Sequence, residues 1–175
     1  TALQAKDDHP ALGKLYEFYL SLFPEEFDVE LAAAEYRLST ENPQDGIVAL
    51  EELRQRDPQN KKLLNVLANG YERTGESSKA KSVFDDLLNL CPEDLDLCQR
   101  SVHVFVLAGD SEGAISILEK WKSVFQAQNR ISELQDLYER LAEEFPGDKN
   151  SEEVLNAIRS IIKSHTDYSQ GVDFG

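Results

Sequence analysis

The sequence contains few residues of the kinds that form metal sites and disulfide frameworks. In 175 residues it has two cysteines and three histidines, and His103 is the histidine nearest to the cysteine pair in the sequence. A structural metal site needs a tetrahedral set of such ligands, so we expect no metal. The sequence also has no phosphate-binding loop and no Ser-His-Asp or Cys-His pattern. We therefore predict no cofactor and no catalytic residues.

Long apolar runs are lacking as well. No stretch of about 18 apolar residues occurs, as a membrane-spanning helix requires, and the chain has no basic-then-apolar leader and no lipidation motif. We therefore expect no direct membrane insertion. Because the sequence has no methionine, we expect its natural start to be missing. We expect a cytoplasmic protein, and a periplasmic or other location stays open.

The two cysteines, Cys91 and Cys98, flank one predicted turn. They could pair as a disulfide in an oxidising compartment. The interpretation that we favour is that both are small apolar packing residues, because Cys98 falls at a core position of a helical pattern.

Basic residues are scarce: 18 lysines and arginines stand against 33 acidic residues, for a formal net charge of −15. The acidic residues are concentrated between Glu17 and Asp57. A negative field repels phosphate backbones and attracts basic partners. We therefore expect no nucleic-acid binding. The interpretation of the charge that we favour is a solvated surface that keeps the protein in solution, and the alternative is attraction of a basic protein partner.

What the sequence does contain is a repeat. Pro24, Pro58 and Pro92 recur at an interval of 34 residues, each after a helix-like apolar segment. A fixed period of this length is typical of stacked helical hairpins. If each proline is position 32 of a repeat, large apolar residues recur at positions 24 and 27, and mostly small ones at position 20. Position 20 holds Leu12, Gly46, Ala80 and Ala114; position 24 holds Tyr16, Leu50, Phe84 and Leu118; position 27 holds Tyr19, Leu53, Leu87 and Trp121.

Residues 61–94 carry the clearest copy of the repeat, with Leu64, Leu67, Ala68, Tyr71, Gly75, Ala80, Phe84, Leu87 and Pro92 at its marked positions. This segment resembles the consensus of the tetratricopeptide repeat. Residues 95–128 follow the same plan, but Gln126 replaces the closing proline, so we expect the last helix to continue. The first helix of the preceding repeat fits only if it is slipped by one residue, which brings Leu31, Ala34 and Leu38 to the marked positions. This slip predicts an altered turn. The resemblance covers about residues 11–126.

The resemblance implies an all-α fold, a tetratricopeptide-type helical-hairpin solenoid that forms a right-handed superhelix, with about nine helices. We expect flexible tails at residues 1–10 and 165–175 and repeats over 11–128. A terminal helical pair at 129–164 would cap the apolar end of the stack. The alternative for this pair is half of a further repeat continued outside the chain. The repeats are predicted as a partial copy at 11–26 and whole copies at 27–60, 61–94 and 95–128.

Capping signals predict where the helices begin and end. We expect N-caps at Asn42, Asn60, Ser77, Asp94 and Ser111. The ninth helix would begin at Asn150 or Ser151 and present a broad apolar face. That face consists of Val154, Leu155, Ile158, Ile161 and Ile162.

Tetratricopeptide proteins usually bind their ligand in a concave groove that is lined by the first helix of each repeat. Carried over to this chain, this property predicts partner-binding residues on two helices. They are Lys62, Asn65, Asn69, Glu72 and Arg73 on one helix, and Gln99, Arg100, His103 and Val106 on the next. An amide both donates to and accepts from a peptide backbone, and Lys62 and Arg100 could receive a carboxylate. We prefer Asn65, Asn69 and Arg100 among these residues.

The repeats that hold the acidic tails of heat-shock chaperones have basic and amide side chains at defined groove positions. The corresponding residues here are Leu31, Glu35, Val66, Asp96 and Arg100, of which only Arg100 matches. Because Glu35 and Asp96 would repel an acidic tail, we do not expect this co-chaperone role.

We predict a non-catalytic scaffold that binds a peptide or helix of another protein in the concave groove. The alternatives are a secretion-type tetratricopeptide chaperone and a regulatory or interaction segment of a larger enzyme or multidomain protein. A homodimer, formed through the groove or the last helix, is also open.

Overall fold

The computed structural model describes residues 9–146 and, beyond them, Glu152, Leu155, Asn156 and Arg159. Residues 9–146 contain eight helices and no strand, which confirms the all-α class. The helices are α1 (His9–Leu22), α2 (Phe27–Leu38), α3 (Pro43–Arg56), α4 (Lys61–Thr74), α5 (Ser77–Leu90), α6 (Leu95–Leu107), α7 (Ser111–Ala127) and α8 (Ile131–Glu144).

The predicted ninth helix falls mostly outside the described residues. Glu152, Leu155, Asn156 and Arg159 are helical, and Leu155 is buried. The other residues of its expected apolar face, and both expected N-caps, lie outside the described part of the chain, as do residues 1–8 and 165–175. The ninth helix and the two tails therefore stay predictions.

The chain forms two units, Thr1–Leu90 and Cys91–Gly175. The first contains α1 to α5, and the second contains α6, α7 and α8. Within the first unit, α2 packs against α3 and α4 packs against α5, as two hairpins. Within the second unit, α6 and α7 form a hairpin and α8 packs against α7.

The hairpins are built as the repeat pattern predicts. The large residues at positions 24 and 27 of the three hairpins are all buried, from Leu50 and Leu53 to Leu118 and Trp121. At position 20, a Cβ added to Gly46 would lie 2.7 Å from the Leu38 amide nitrogen. A side chain there would collide with the backbone of α2, so α2 and α3 cross in close contact. Ala80 and Ala114, at the equivalent positions, are fully buried.

The prediction for α1 is wrong at two of its three repeat positions. Leu12 and Tyr19 are exposed, although their equivalents in the hairpins form the core. The reason is that α1 contacts α2 through an adjacent side of the helix. A Cβ added to Gly13 would lie 3.0 Å from Tyr36 Oη, and the rings of Tyr16 and Tyr36 are 5.6 Å apart.

The turn between α2 and α3 differs from the other hairpin turns, as expected. Gly75 and Gly109 have φ of 72° and 73°, so each reverses the chain in the left-handed conformation that suits glycine. The α2–α3 turn spans residues 39–42 without any left-handed residue. Leu38 is buried just before it. Leu31 and Ala34 are also buried, as the slipped register of α2 predicts, and so is Ala33, which belongs to the unslipped register.

Two of the predicted N-caps make capping hydrogen bonds. Asn60 Oδ1 accepts from the Leu63 amide at 3.1 Å, and Asp94 Oδ1 accepts from the Leu97 amide at 3.0 Å. Asn42 occupies the N-cap position before Pro43, but its side chain makes no capping bond.

The N-caps predicted at Ser77 and Ser111 are wrong, because both serines are the first residues inside their helices. The cap of α7 is Asp110, whose Oδ1 accepts from the Gly113 amide at 2.8 Å. A carboxylate there also interacts favourably with the helix dipole. In α5, the backbone oxygen of Glu76 already accepts from the Ala80 amide, so the helix begins one residue earlier than predicted.

Candidate functional site

The predicted groove residues of the first unit all lie on α4. Leu63, Leu64 and Leu67 are buried in the core. Because residues three and four apart share one side of a helix, the polar set follows the other side. Lys62, Asn69 and Arg73 are exposed, and Asn65 and Glu72 are half-buried.

A cavity of about 420 Å³ lies between α2 and α4. It brings together three of the predicted residues, Asn69, Glu72 and Arg73, with buried Val66 and Leu38 and exposed Glu35. Lys62 and Asn65 are not among the residues that line it. Asn65 Nδ2 instead donates to the Lys61 carbonyl at 3.0 Å, one turn back on its own helix. The preference for Asn65 from the sequence therefore finds no support in this cavity.

A second cavity, of about 300 Å³, lies between α6 and α8 in the second unit. Of the predicted residues, Gln99, His103 and Val106 line it, and Arg100 does not. The structure adds residues of α8 that the sequence did not assign to the site, together with one exposed leucine of α6. The complete lining is Gln99, Val102, His103, Val106, Leu107, Leu137, Arg140, Leu141 and Glu144.

The α8 residues were missed because residues 126–146 break the 34-residue period, so no repeat position could be carried over to them. Leu137 and Leu141 recur at helical spacing, which predicts an apolar stripe but not what it contacts. The spacing of Arg140 and Glu144 is a signal that could have identified the α8 residues, because residues four apart lie on one side of a helix.

An ion-pair cluster joins α6 and α8 beside this cavity. Arg130 Nε donates to Glu133 Oε1 at 2.7 Å, and Arg130 Nη2 lies 3.4 Å from Asp96 Oδ1. Gln99 Nε2 donates to Glu133 Oε2 at 2.7 Å. The Arg130 guanidinium holds the pKa of the Glu133 carboxyl below its usual range. The cluster therefore orients the Gln99 amide, with its nitrogen directed at Glu133 and its oxygen available to a ligand.

A second polar network lies away from both cavities and supports the first unit. Tyr71 Oη donates to Glu51 Oε1 at 2.5 Å, and Arg54 Nη2 donates to Asp86 Oδ2 at 2.6 Å. Burial, followed by the bond to Glu51, raises the pKa of Tyr71 above its ordinary value. These contacts connect α3, α4 and α5, so we assign them to stability.

Both cysteines are free thiols in this structure. Cys98 is buried in α6, and burial raises its pKa to about 12. Cys91 is half-buried. This arrangement is that of packing residues.

In the part of the chain that the structure describes, no cluster of three or more histidine, cysteine or acidic side chains is arranged to hold a metal ion. In the same part, none of the helices combines the length and the apolar character that crossing a bilayer requires.

The chain is similar to solved structures of helical-repeat proteins. No protein-family model and no curated protein sequence matches it. The protein MamA is 15% identical with a TM-score of 0.65, and the match covers 95% of this chain and 94% of that one. The tetratricopeptide-like repeats of a putative kinesin light chain from Podosopora anserina are 14% identical with a TM-score of 0.65, over 93% and 90% of the two chains.

A tetratricopeptide repeat protein from Parabacteroides merdae ATCC 43184 is 13% identical with a TM-score of 0.59, over 95% of this chain and 72% of that one. At these identities the likeness shows the fold alone. It confirms the tetratricopeptide-type helical-hairpin fold.

Proposed function

We propose that this chain, which has the fold of tetratricopeptide-repeat proteins, is a non-catalytic scaffold that binds a peptide or helix of another protein. The observation that carries the proposal is the cavity between α6 and α8. Its base is apolar and formed by Val102, Leu137 and Leu141, which are buried. Leu107, at its edge, is 61% exposed.

This combination is typical of protein interfaces, where an apolar centre is surrounded by polar groups. The polar groups here are Gln99, His103, Arg140 and Glu144. A cavity of about 300 Å³ suits one large apolar side chain of a partner, and such anchors carry most of the affinity of many interfaces. The polar groups around it would fix the direction of the bound segment.

The charge of the chain defines the partner further. With a net charge of −15, the protein attracts a basic segment at long range and repels nucleic acid. Glu144 in this cavity and Glu35 in the cavity of the first unit offer acceptors to lysine or arginine, and Arg140 and Arg73 lie in the same two cavities. The partner that fits is therefore a basic peptide or helix with a large apolar anchor. The cytoplasmic location expected from the sequence stays a prediction.

The test is a selection of displayed random peptides on the immobilised chain, followed by fluorescence anisotropy with the recovered peptides. Leu107→Gln removes an apolar contact from the cavity edge without adding charge. The matched control is Val48→Gln, because Val48 is also an exposed apolar side chain of a helix but lines neither cavity.

Recovered peptides should contain a large apolar residue close to lysine or arginine. Leu107→Gln should weaken their binding about tenfold, as the loss of roughly 1.4 kcal/mol of apolar burial would. Val48→Gln should leave binding unchanged. Raising the salt concentration should also weaken binding, because it screens the attraction. Equal affinity for wild type and Leu107→Gln, or peptides without an apolar residue, would contradict the proposal.

A further inference from the structure

Helix α1 carries a cluster of exposed apolar side chains that the proposed function does not use. Six large residues are between 39% and 58% exposed, and we call them the α1 face. Among the other described residues, only Val48 and Leu107 are large, apolar and comparably exposed. The α1 face consists of Leu12, Leu15, Phe18, Tyr19 and Leu22 of the helix and Phe23, which directly follows it.

The repeat pattern shows what kind of element covers such a face. Leu12 and Tyr19 stand at positions 20 and 27 of the repeat. In the hairpins, the residues at these positions are buried, as Ala80 and Leu87 are, and the helix that carries them packs against the first helix of the same hairpin. The contact of α1 with α2 uses Gly13 and Tyr16 instead. The α1 face is therefore a surface that a further helix fits.

We propose that a second copy of this chain covers the α1 face, with the two α1 helices paired antiparallel about a two-fold axis. In such a dimer the same surface is used on both subunits, so an apolar face matches itself. The three aromatic residues, Phe18, Tyr19 and Phe23, belong to the residue types that are enriched at protein interfaces.

The distribution of charge favours this occupant. The chain has a net charge of −15, so two copies repel one another over most of their surfaces. Lys14 and Glu17 are the only lysine, arginine or acidic residues in α1, and they balance each other. The helix itself is therefore neutral, and the acidic Glu25, Glu26 and Asp28 lie beyond its C-terminal end.

The area is also sufficient. Aromatic side chains carry roughly 150–250 Å² each, so six large side chains that are about half exposed offer on the order of 600 Å² per copy. The pair would bury about 1,200 Å², which is at the lower end of the range of specific protein interfaces. We therefore expect a reversible dimer, with a dissociation constant in the micromolar range.

The test is sedimentation equilibrium of the full chain between about 1 and 200 μM, where an interface of about this size should dissociate. The mass should rise with concentration from the monomer value of 19.7 kDa to twice that value and no further. Raising the salt concentration should strengthen the dimer, because it screens the repulsion between two acidic chains. This response is opposite in sign to the one expected for binding of the basic peptides.

Leu15→Glu and Phe18→Glu each place two carboxylates in the proposed interface and should weaken the dimer at least tenfold. Val48→Glu is the control, because it adds the same charge to an exposed apolar position of α3. It should dimerise like the wild type. Helix content and thermal unfolding of each monomer, measured by circular dichroism, show whether the variants are folded. Phe18→Ser provides a milder change, which should weaken the dimer severalfold.

The inference is independent of the proposed function. Leu107→Gln should dimerise normally and bind the peptides more weakly, whereas Leu15→Glu should bind the peptides normally and dimerise more weakly. A wild-type chain that stays monomeric over the whole range would overturn the inference. Folded Leu15→Glu and Phe18→Glu variants that dimerise normally would also overturn it, since another surface would then join the copies. Growth beyond the dimer would mean a head-to-tail contact and would equally overturn it.

Discussion

The contact between α2 and α3 at Gly46 gives the sharpest test of the fold. A Cβ at this position would lie 2.7 Å from the Leu38 nitrogen and 2.8 Å from the Ala34 oxygen, and both atoms belong to the backbone of α2. A backbone cannot rotate away from a methyl group as a side chain can. Gly46→Ala must therefore move one helix of the hairpin relative to the other.

The size of the effect follows from two opposing terms. Alanine inside a helix is favoured over glycine by about 1 kcal/mol, and forcing an extra methyl group into a packed core costs about 1–3 kcal/mol. Gly46→Ala should therefore lower the free energy of unfolding by up to about 2 kcal/mol. Gly70→Ala is the matched control. An added Cβ there would meet Leu38 Cδ2 at 3.1 Å and Ile47 Cγ1 at 3.3 Å, and both atoms belong to side chains that can adjust.

The measurement is urea unfolding of the wild type and both variants, followed by circular dichroism. Because both substitutions gain similar helix propensity, the difference between them isolates the contact with the α2 backbone. Gly46→Ala should be less stable than Gly70→Ala by about 1–3 kcal/mol. Equal stability of the two variants would refute the close crossing of α2 and α3.

Three further predictions concern single side chains. Asp110→Ala should lower the free energy of unfolding by about 1 kcal/mol because it removes the cap of α7. Ser111→Ala should lower it much less. Equal effects of the two substitutions in urea unfolding would contradict the assignment of Asp110 as the cap. A thiol reagent at pH 8 should label Cys91 rapidly and Cys98 only after unfolding, because Cys98 is buried and its pKa is raised to about 12; rapid labelling of both would contradict its burial. The pKa of Glu133 is lowered in the folded protein from 4.5, so its contribution to stability is present above that pH and is lost as the pH falls through the folded value. Glu133→Gln should therefore lose less stability than the wild type as the pH falls below 4.5. The measurement is the thermal unfolding temperature of both proteins across that range, and an equal dependence on pH would contradict the ion pair.

The hairpins could be predicted from the sequence because their packing depends on residues at fixed intervals. Gly46, Ala80 and Ala114 allow the two helices of a hairpin to approach, and this requirement recurs every 34 residues. Helix starts were predicted less well. Ser111 and Asp110 are adjacent and both can cap a helix, so the choice between them depends on the backbone geometry after the left-handed Gly109.

The environment of α1 could not be predicted from the repeat. Residue types at Leu12, Tyr16 and Tyr19 satisfy the pattern, but burial also requires a helix on the other side. A sequence pattern records which face of a helix is apolar and does not record what lies against it. The exposed α1 face is therefore information that only the structure supplies, and it is the basis of the proposed dimer.

In the candidate site too, the sequence pattern predicts which residues are exposed, whereas contacts with other residues determine which hydrogen bonds they make. Helical periodicity predicted that Asn65 and Gln99 are polar residues outside the core, and both are half-buried. Their chemistry depends on neighbours that the repeat does not specify. The Asn65 amide donates to the Lys61 carbonyl, whereas the Gln99 amide donates to Glu133 on another helix.

This difference has a consequence for recognition. Since one N–H of the Gln99 amide is directed at Glu133, a partner can use its oxygen, which accepts, and its second N–H, which donates. The nearby carboxylate of Glu144 only accepts when it is ionised. Arg140, a donor, lines the same cavity, so the groups around the apolar base include both donors and acceptors. The proposed preference for a basic segment therefore rests on the net charge of −15.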